Sequence, residues 1–147
     1  MDNKILIEQS QHWEKSFSSK PEMFGSEPSH SAKIALENFK KNNVKHIIEL
    51  GAGLGRDTIF FAKNSIKVTA LDYSPTAVEI IKNKSNSLGL SDLIEVQTHD
   101  LRQKLNFADN SFEGCYSHML YCMAFTYPEL ENLNNEIFRV LNKDSLN

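Results

Sequence analysis

The stretch Glu49-Leu50-Gly51-Ala52-Gly53-Leu54-Gly55 decides how this sequence reads. Before it stands the short apolar run Val44-Lys45-His46-Ile47-Ile48-Glu49-Leu50, whose length and composition predict a buried strand. After it, Arg56 to Lys63 carries Ile59, Phe60, Phe61 and Ala62, which predicts a helix opening directly out of the glycines. Strand, glycine loop and helix in this order suit a nucleotide-like ligand. Glycine lets the chain turn tightly and lets a ligand approach the backbone with no Cβ between. Free N–H groups at a helix start then favour an anionic group.

Outward from the loop the alternation continues. Lys67-Val68-Thr69-Ala70-Leu71 predicts a second buried strand, closed by Asp72. Ser74 as N-cap and Pro75 at the first helical position start a helix. Its inner face is Ala77, Val78, Ile80, Ile81 and Leu88, and Gly89 ends it. Leu93-Ile94-Glu95-Val96-Gln97 is the third strand, and Phe112 to Ser117, after a turn at Asp109-Asn110, the fourth. Leu130, Leu133, Ile137, Phe138, Val140 and Leu141 recur at helical spacing in a last helix. Upstream, Ile34, Ala35, Leu36 and Phe39 face inward from a helix capped by Ser29 or Ser31 and fading at Asn42-Asn43. Residues 1–30 are polar and read as a short helix followed by an irregular loop with Pro21, Gly25 and Pro28.

Strands alternating with helices predict an α/β fold, a Rossmann-like three-layer αβα sandwich with a mostly parallel sheet and right-handed crossovers. In such a sheet the ligand lies beyond the carboxyl ends of the strands. Glu49, Asp72, Asp100 and Ser117 all fall at those ends.

Composition excludes several classes of function. The 147 residues suit one domain, with residues 1–30 as an N-terminal helix and cover and 31–147 as the core. With 40% hydrophobic and 24% charged residues, the chain matches a soluble globular protein. Ile5-Leu6-Ile7, between Lys4 and Glu8, is too short for a signal-peptide core or a spanning helix, so no membrane partner is expected. Cys115 and Cys122 are the only cysteines, which implies no disulfide framework and a reducing cytoplasm. The net charge of −3 carries no long block of like charge. Lys40-Lys41 and the pair Lys82 and Lys84 read as solvated helix surface, so no nucleic-acid partner is expected. Cys115, His118 and Cys122 offer three soft ligands without a Cys-x-x-Cys pair, and no metal is expected.

The loop itself discriminates between ligands. In the dinucleotide fingerprint Gly-x-Gly-x-x-Gly the third glycine would fall at Arg56, where a side chain would crowd helix against strand. Here that glycine stands one residue earlier, at Gly55. Glu49, just ahead of the first glycine, would repel a pyrophosphate and instead suits a ligand bearing an ammonium group.

On these residues the chain resembles the class I S-adenosylmethionine (SAM)-dependent methyltransferases. Glu49-x-Gly51-x-Gly53-x-Gly55 is similar to their first motif, in which the acid and the loop backbone, here Gly51, Ala52, Gly53 and Gly55, surround the methionine part of SAM. Asp72 matches the acid that holds the ribose hydroxyls, and Tyr73 and Ser74 would flank the adenosine. His99-Asp100-Leu101 resembles the segment whose acid meets the adenine amino group. Phe107-x-x-Asn110-Ser111-Phe112-Glu113 resembles the lead-in to strand four, and Phe138-Arg139-Val140-Leu141 the end of the helix that follows. Gly55-Arg56-Asp57 is a run shared with subgroups acting on small molecules.

The resemblance spans about residues 44–142 and implies SAM as cofactor and a small-molecule methyl acceptor. Ser117, at the end of strand four, either faces the cofactor or simply ends the strand. Ser117-His118-Met119-Leu120 lacks the Asn/Asp-Pro-Pro-aromatic signature of enzymes that methylate nucleic-acid amino groups.

His99, His118 and Tyr121 are candidates for chemistry at the methyl group. Methyl transfer from a sulfonium proceeds by holding nucleophile and methyl in line, so no catalytic residue is assigned. Trp13, Phe17, Phe24 and His30 fit either a lid over the cofactor or a packed helical cover.

Family sheets usually have seven strands, whereas this sequence ends at Asn142-Lys143-Asp144-Ser145-Leu146-Asn147, with Leu146-Asn147 opening a fifth. The reading is therefore of a C-terminally truncated sheet whose fourth strand is an exposed edge open to self-association. The competing functions are a non-catalytic SAM-binding or interaction module and, third, a NAD-dependent oxidoreductase.

Overall fold

A computed structural model describes residues 3–19, 25–118, 120 and 123–146. Helices α1 (Asn3–Ser19) and α2 (His30–Lys41) precede the first strand, β1 (His46–Leu50). Then follow α3 (Arg56–Lys63), β2 (Lys67–Asp72), α4 (Pro75–Ser87), β3 (Ile94–Thr98), β4 (Phe112–Ser117), α5 (Tyr127–Val140) and β5 (Leu141–Leu146). The strands form one sheet in the order β3-β2-β1-β4-β5, with every pairing parallel. The chain thus has the Rossmann-like α/β architecture read from its sequence.

The period-two alternation of the strands builds two cores. Ile47, Val68, Ala70, Val96 and Tyr116 pack with α2, α3 and α4 on one face. Ile48, Leu50, Leu71 and Cys115 pack with Leu133, Ile137 and Val140 of α5 on the other. This is the three-layer sandwich. Ser29 and Ser74 cap α2 and α4, their hydroxyls accepting from the N–H groups of Ala32 and Ala77. Thr126 and Glu129 form a capping box at the start of α5.

The structure corrects the sequence reading in several places. Strand β4 is no edge, because β5 pairs along it, so self-association through β4 has no support; the edges are β3 and β5. Leu141 leaves the last helix to open β5, with extended backbone (φ −82°, ψ 143°) opposite Phe112. Phe138 is 82% exposed, because the inward stripe of α5 runs through Leu133, Ile137 and Val140 and position 138 lies off it. Ile34 is exposed because α2 buries Ala32, Leu36 and Phe39 instead, and Leu88 is exposed at the C-cap of α4. Helix α1, expected to be short, runs for 17 residues and packs on α4. Pro21, Met23, Phe24, Met119, Tyr121, Cys122 and Asn147 lie outside the described residues.

Candidate cofactor site at the carboxyl ends of β1, β2 and β3

The glycine loop is folded back onto β2. Gly51 and Ala52 both donate their N–H groups to the carbonyl of Leu71, at 2.8 and 3.0 Å. Gly53 donates to Asp72 Oδ2 at 2.8 Å, and Gly55 to the carbonyl of Ala52 at 3.1 Å. Four loop donors are thus committed inside the protein. The loop therefore presents smooth backbone and few donors, which suits a pyrophosphate poorly.

Two glycines are demanded by geometry. Gly55 has φ +82°, and a Cβ there would lie 2.7 Å from Cγ1 of Ile81, so it is the hinge that seats α3 against α4. Gly51 has φ +73°, and its Cβ would lie 3.1 Å from Cδ1 of Leu120.

Over this loop opens a cavity of about 250 Å3. Glu49 lies at its floor, and Gly51, Ala52, Gly53 and Gly55 form one wall. Asp72, Tyr73 and Ser74 stand at the end of β2, and Asp100 and Leu101 beyond β3. Ten of the eleven residues singled out for the cofactor thus share one cavity. Ser117 is not in its lining, although its neighbour His118 is. His99 is also outside the lining; its Nε2 is buried with no hydrogen-bond partner among the described residues.

Glu49 is 3% exposed and accepts a hydrogen bond from the Thr58 hydroxyl. Burial, opposed by that hydrogen bond and reinforced by the negative charges of Asp57 and Asp72, pushes its carboxyl up to about 8. Asp72 is likewise buried, and burial raises it. The backbone N–H groups of Ser74 and Gly53 pull the other way, and the charge of Glu14 adds to the rise.

Asp100 differs. Burial would raise it, but the side chain and backbone of Arg102 outweigh burial and hold it below the usual carboxylate range. The Arg102 guanidinium grips both its oxygens, at 2.9 and 2.7 Å.

Several contributors were not visible in the sequence. Arg102 sits two residues beyond Asp100, and its backbone N–H also donates to Oδ1, an Asx-type turn that the Asp-x-Arg spacing could have suggested. Helix α1 supplies Gln9, Ser10, Trp13 and Phe17 to the cavity. Trp13 and Phe17 stack at 5.5 Å, and Phe17 packs on Leu54 and Ala77. Glu14 accepts from the hydroxyls of Ser74 and Thr76, and Gln9 Oε1 accepts from the N–H of Ala124. No periodicity signals these contacts. Of the four expected cover residues, Trp13 and Phe17 line the cavity and His30 does not.

Asp57, in the run Gly55-Arg56-Asp57, holds the scaffold together. Its carboxylate accepts from the N–H and hydroxyl of Ser29 and from the hydroxyl of Tyr116, each at 2.8 Å. It thereby ties the start of α2 and strand β4 to the start of α3. Cys115 faces the α5 core, where burial pushes its thiol up to about 12.

Among known proteins, the methyltransferase domain family matches residues 47–144. The chain is 30% identical over 139 residues to 24-methylenesterol C-methyltransferase 3 of Arabidopsis thaliana, covering 91% of this chain and 38% of that protein. The chain therefore spans well under half the length of this curated relative.

Among solved structures, a candidate SAM-dependent methyltransferase of Methanococcus maripaludis superposes with a TM-score of 0.67 at 18% identity. That match covers 99% of this chain and 63% of that one. The [4+2]-cyclase SpnF superposes at 0.72 and 18% identity, over 90% of this chain and 55% of that one. At such identities the structures establish the shared fold. With two thirds of its length matched by the family model, this chain belongs to the methyltransferase domain family.

Proposed function

We propose that residues 1–147 act as one domain that binds S-adenosylmethionine in the cavity over the glycine loop and transfers its methyl group to a small-molecule acceptor. The observation that carries this reading is the pairing of a buried Glu49 with a loop in which the N–H groups of Gly51, Ala52, Gly53 and Gly55 are already committed. Such a site rejects phosphates and favours an ammonium group, the group carried by the methionine end of SAM. The names of relatives agree on methyl transfer, and the sterol methyltransferase among them supports a small molecule as acceptor. The two cysteines support a reducing, cytoplasmic setting.

In this reading Glu49 and the backbone at Gly51, Ala52, Gly53 and Gly55 hold the methionine part. Asp72 takes the ribose hydroxyls, Tyr73, Ser74 and Leu101 flank the adenosine, and Asp100 accepts from the adenine amino group. Bound SAM supplies a methyl carbon on a sulfonium sulfur, activated for displacement. The residues of this chain orient that carbon and exclude water, with Trp13 and Phe17 covering the site. Ser117 lies outside the lining and is given no role in this reading.

Titration calorimetry with SAM, S-adenosylhomocysteine and NAD tests the reading. Binding of the two adenosyl sulfur compounds without NAD is expected; NAD binding without a response to SAM would overturn it. The cyclase neighbour shows that this fold also hosts other chemistry. Transfer of labelled methyl to a panel of small acceptors therefore separates a methyltransferase from a binding module.

A further inference from the structure

The Asp100–Arg102 pair, both residues of which line the cavity, leaves a single acceptor position unfilled among the described residues. Oδ1 of Asp100 accepts from the Arg102 backbone N–H at 3.0 Å and from its Nε at 2.9 Å. Oδ2 accepts from Nη2 at 2.7 Å. A carboxylate oxygen accepts about two hydrogen bonds. Among the described residues, then, Oδ1 is filled and Oδ2 has one place left.

Both residues line the cavity, with side chains 23% and 28% exposed for Asp100 and Arg102. The two-point grip of a planar guanidinium fixes the carboxylate's rotation as well as its charge.

Resting on the SAM reading, we propose that Arg102 is a positioning residue that makes Asp100 a one-place acceptor for the exocyclic amino group of adenine and so selects adenosine over a 6-oxo purine nucleoside. A 6-amino purine presents an N–H to Oδ2, whereas a 6-oxo purine presents a lone pair to a lone pair. Asp100 has two ways to escape that repulsion. It could turn its other oxygen to the base, but the fork holds both. It could take up a proton and donate to the oxo group, but Arg102 keeps it ionised.

The test compares S-adenosylhomocysteine with its inosine counterpart, S-inosylhomocysteine. Binding is read by calorimetry and by the emission of Trp13, the only tryptophan in the chain and part of the cavity wall. The wild-type protein is expected to prefer the adenosine compound by roughly 10- to 100-fold, the range of one hydrogen bond to a charged group.

Arg102→Met keeps the apolar stem and removes the fork, and that preference should fall to about threefold or less. Arg102→Lys keeps the charge without the fork and should fall in between. Asp100→Asn, which can donate to an oxo group, should shrink or invert the preference. Melting temperatures of all three report whether the fold is intact. If the wild-type protein binds neither compound, the SAM reading falls and this one with it. If wild type discriminates and both Arg102 variants discriminate equally well, the SAM reading stands and the role of Arg102 is overturned.

Discussion

The two ends of the cavity hold carboxylates in opposite electrostatic states. At the β1–β2 end, Glu49 and Asp72 are buried against Asp57 and Glu14, and burial drives both upward. At the β3 end, Asp100 is paired with the chain's own Arg102 and driven downward. All three stand at or just beyond the carboxyl end of a strand in the same sheet, so position alone does not set their chemistry. The difference lies in where the countercharge comes from. The Asp100 end carries a cation within the protein, while in the proposed reading the Glu49 end is completed by a cation that a ligand brings. A ligand with an ammonium group at one end and an uncharged amino donor at the other matches both.

The largest effect expected from this contrast is on pH dependence. The raised carboxyl of Glu49 must lose its proton to meet an ammonium group, so SAM affinity should climb with pH up to about 8. The limiting slope is about tenfold per pH unit, or on the order of 100-fold between pH 5.5 and 7.5. In the ligand-free protein the sign reverses. A carboxyl raised from 4.5 to about 8 contributes stability that is fully present below 4.5 and lost as pH rises toward 8. Glu49→Gln should flatten both profiles, as read by calorimetry and by thermal melts across this range. A slope surviving in Glu49→Gln would move the titration to another cavity group, such as Asp72, and break the comparison.

A smaller effect is expected at Asp72. Its two oxygens accept from Gly53 at 2.8 Å and from Ser74 at 2.9 Å, so it shapes the loop before any ligand arrives. Asp72→Ala should weaken SAM binding by about 1–3 kcal/mol and lower the stability of the ligand-free protein as well. Asp72→Asn keeps an acceptor for one of the two donors and should lose less on both counts. If Asp72→Ala leaves affinity unchanged, the ribose assignment fails.

The β1–β2 end was largely legible in the sequence and the β3 end only in part. Glycines at 51, 53 and 55, the Ser74-Pro75 start of α4 and the apolar strands are local signals, and each formed as read. The glycine N–H groups turned out to be committed because the carbonyl of Leu71 and the carboxylate of Asp72 reach them across the β1–β2 junction, a tertiary contact. Arg102 was hidden for a different reason. An Asp-x-Arg spacing is common in turns and acquires meaning only once the cavity is seen beside it. Leu141 was misplaced because it stands four residues after Ile137, at helical spacing, and no glycine or proline marks where the helix gives way to the strand.

The smallest effect belongs to Glu14, where the contrast can be sharpened without touching the ligand. Its carboxylate reaches the hydroxyls of Ser74 and Thr76 from α1, and its charge contributes to the raised carboxyl of Asp72. Those hydroxyls, against the opposing effect of burial, keep Glu14 itself below its ordinary value. Glu14→Gln removes the charge and keeps a side chain of the same length. It should therefore lower the pH at which Asp72 ionises and loosen α1 a little. Affinity at neutral pH should change by about threefold or less, as expected for one partly exposed charge. The emission of Trp13, one residue away, should shift to the red and become easier to quench as α1 loosens. The same substitution should leave the adenosine-over-inosine preference untouched, because Arg102 holds Asp100 independently of α1. A change in that preference would mean that the two ends of the cavity are coupled.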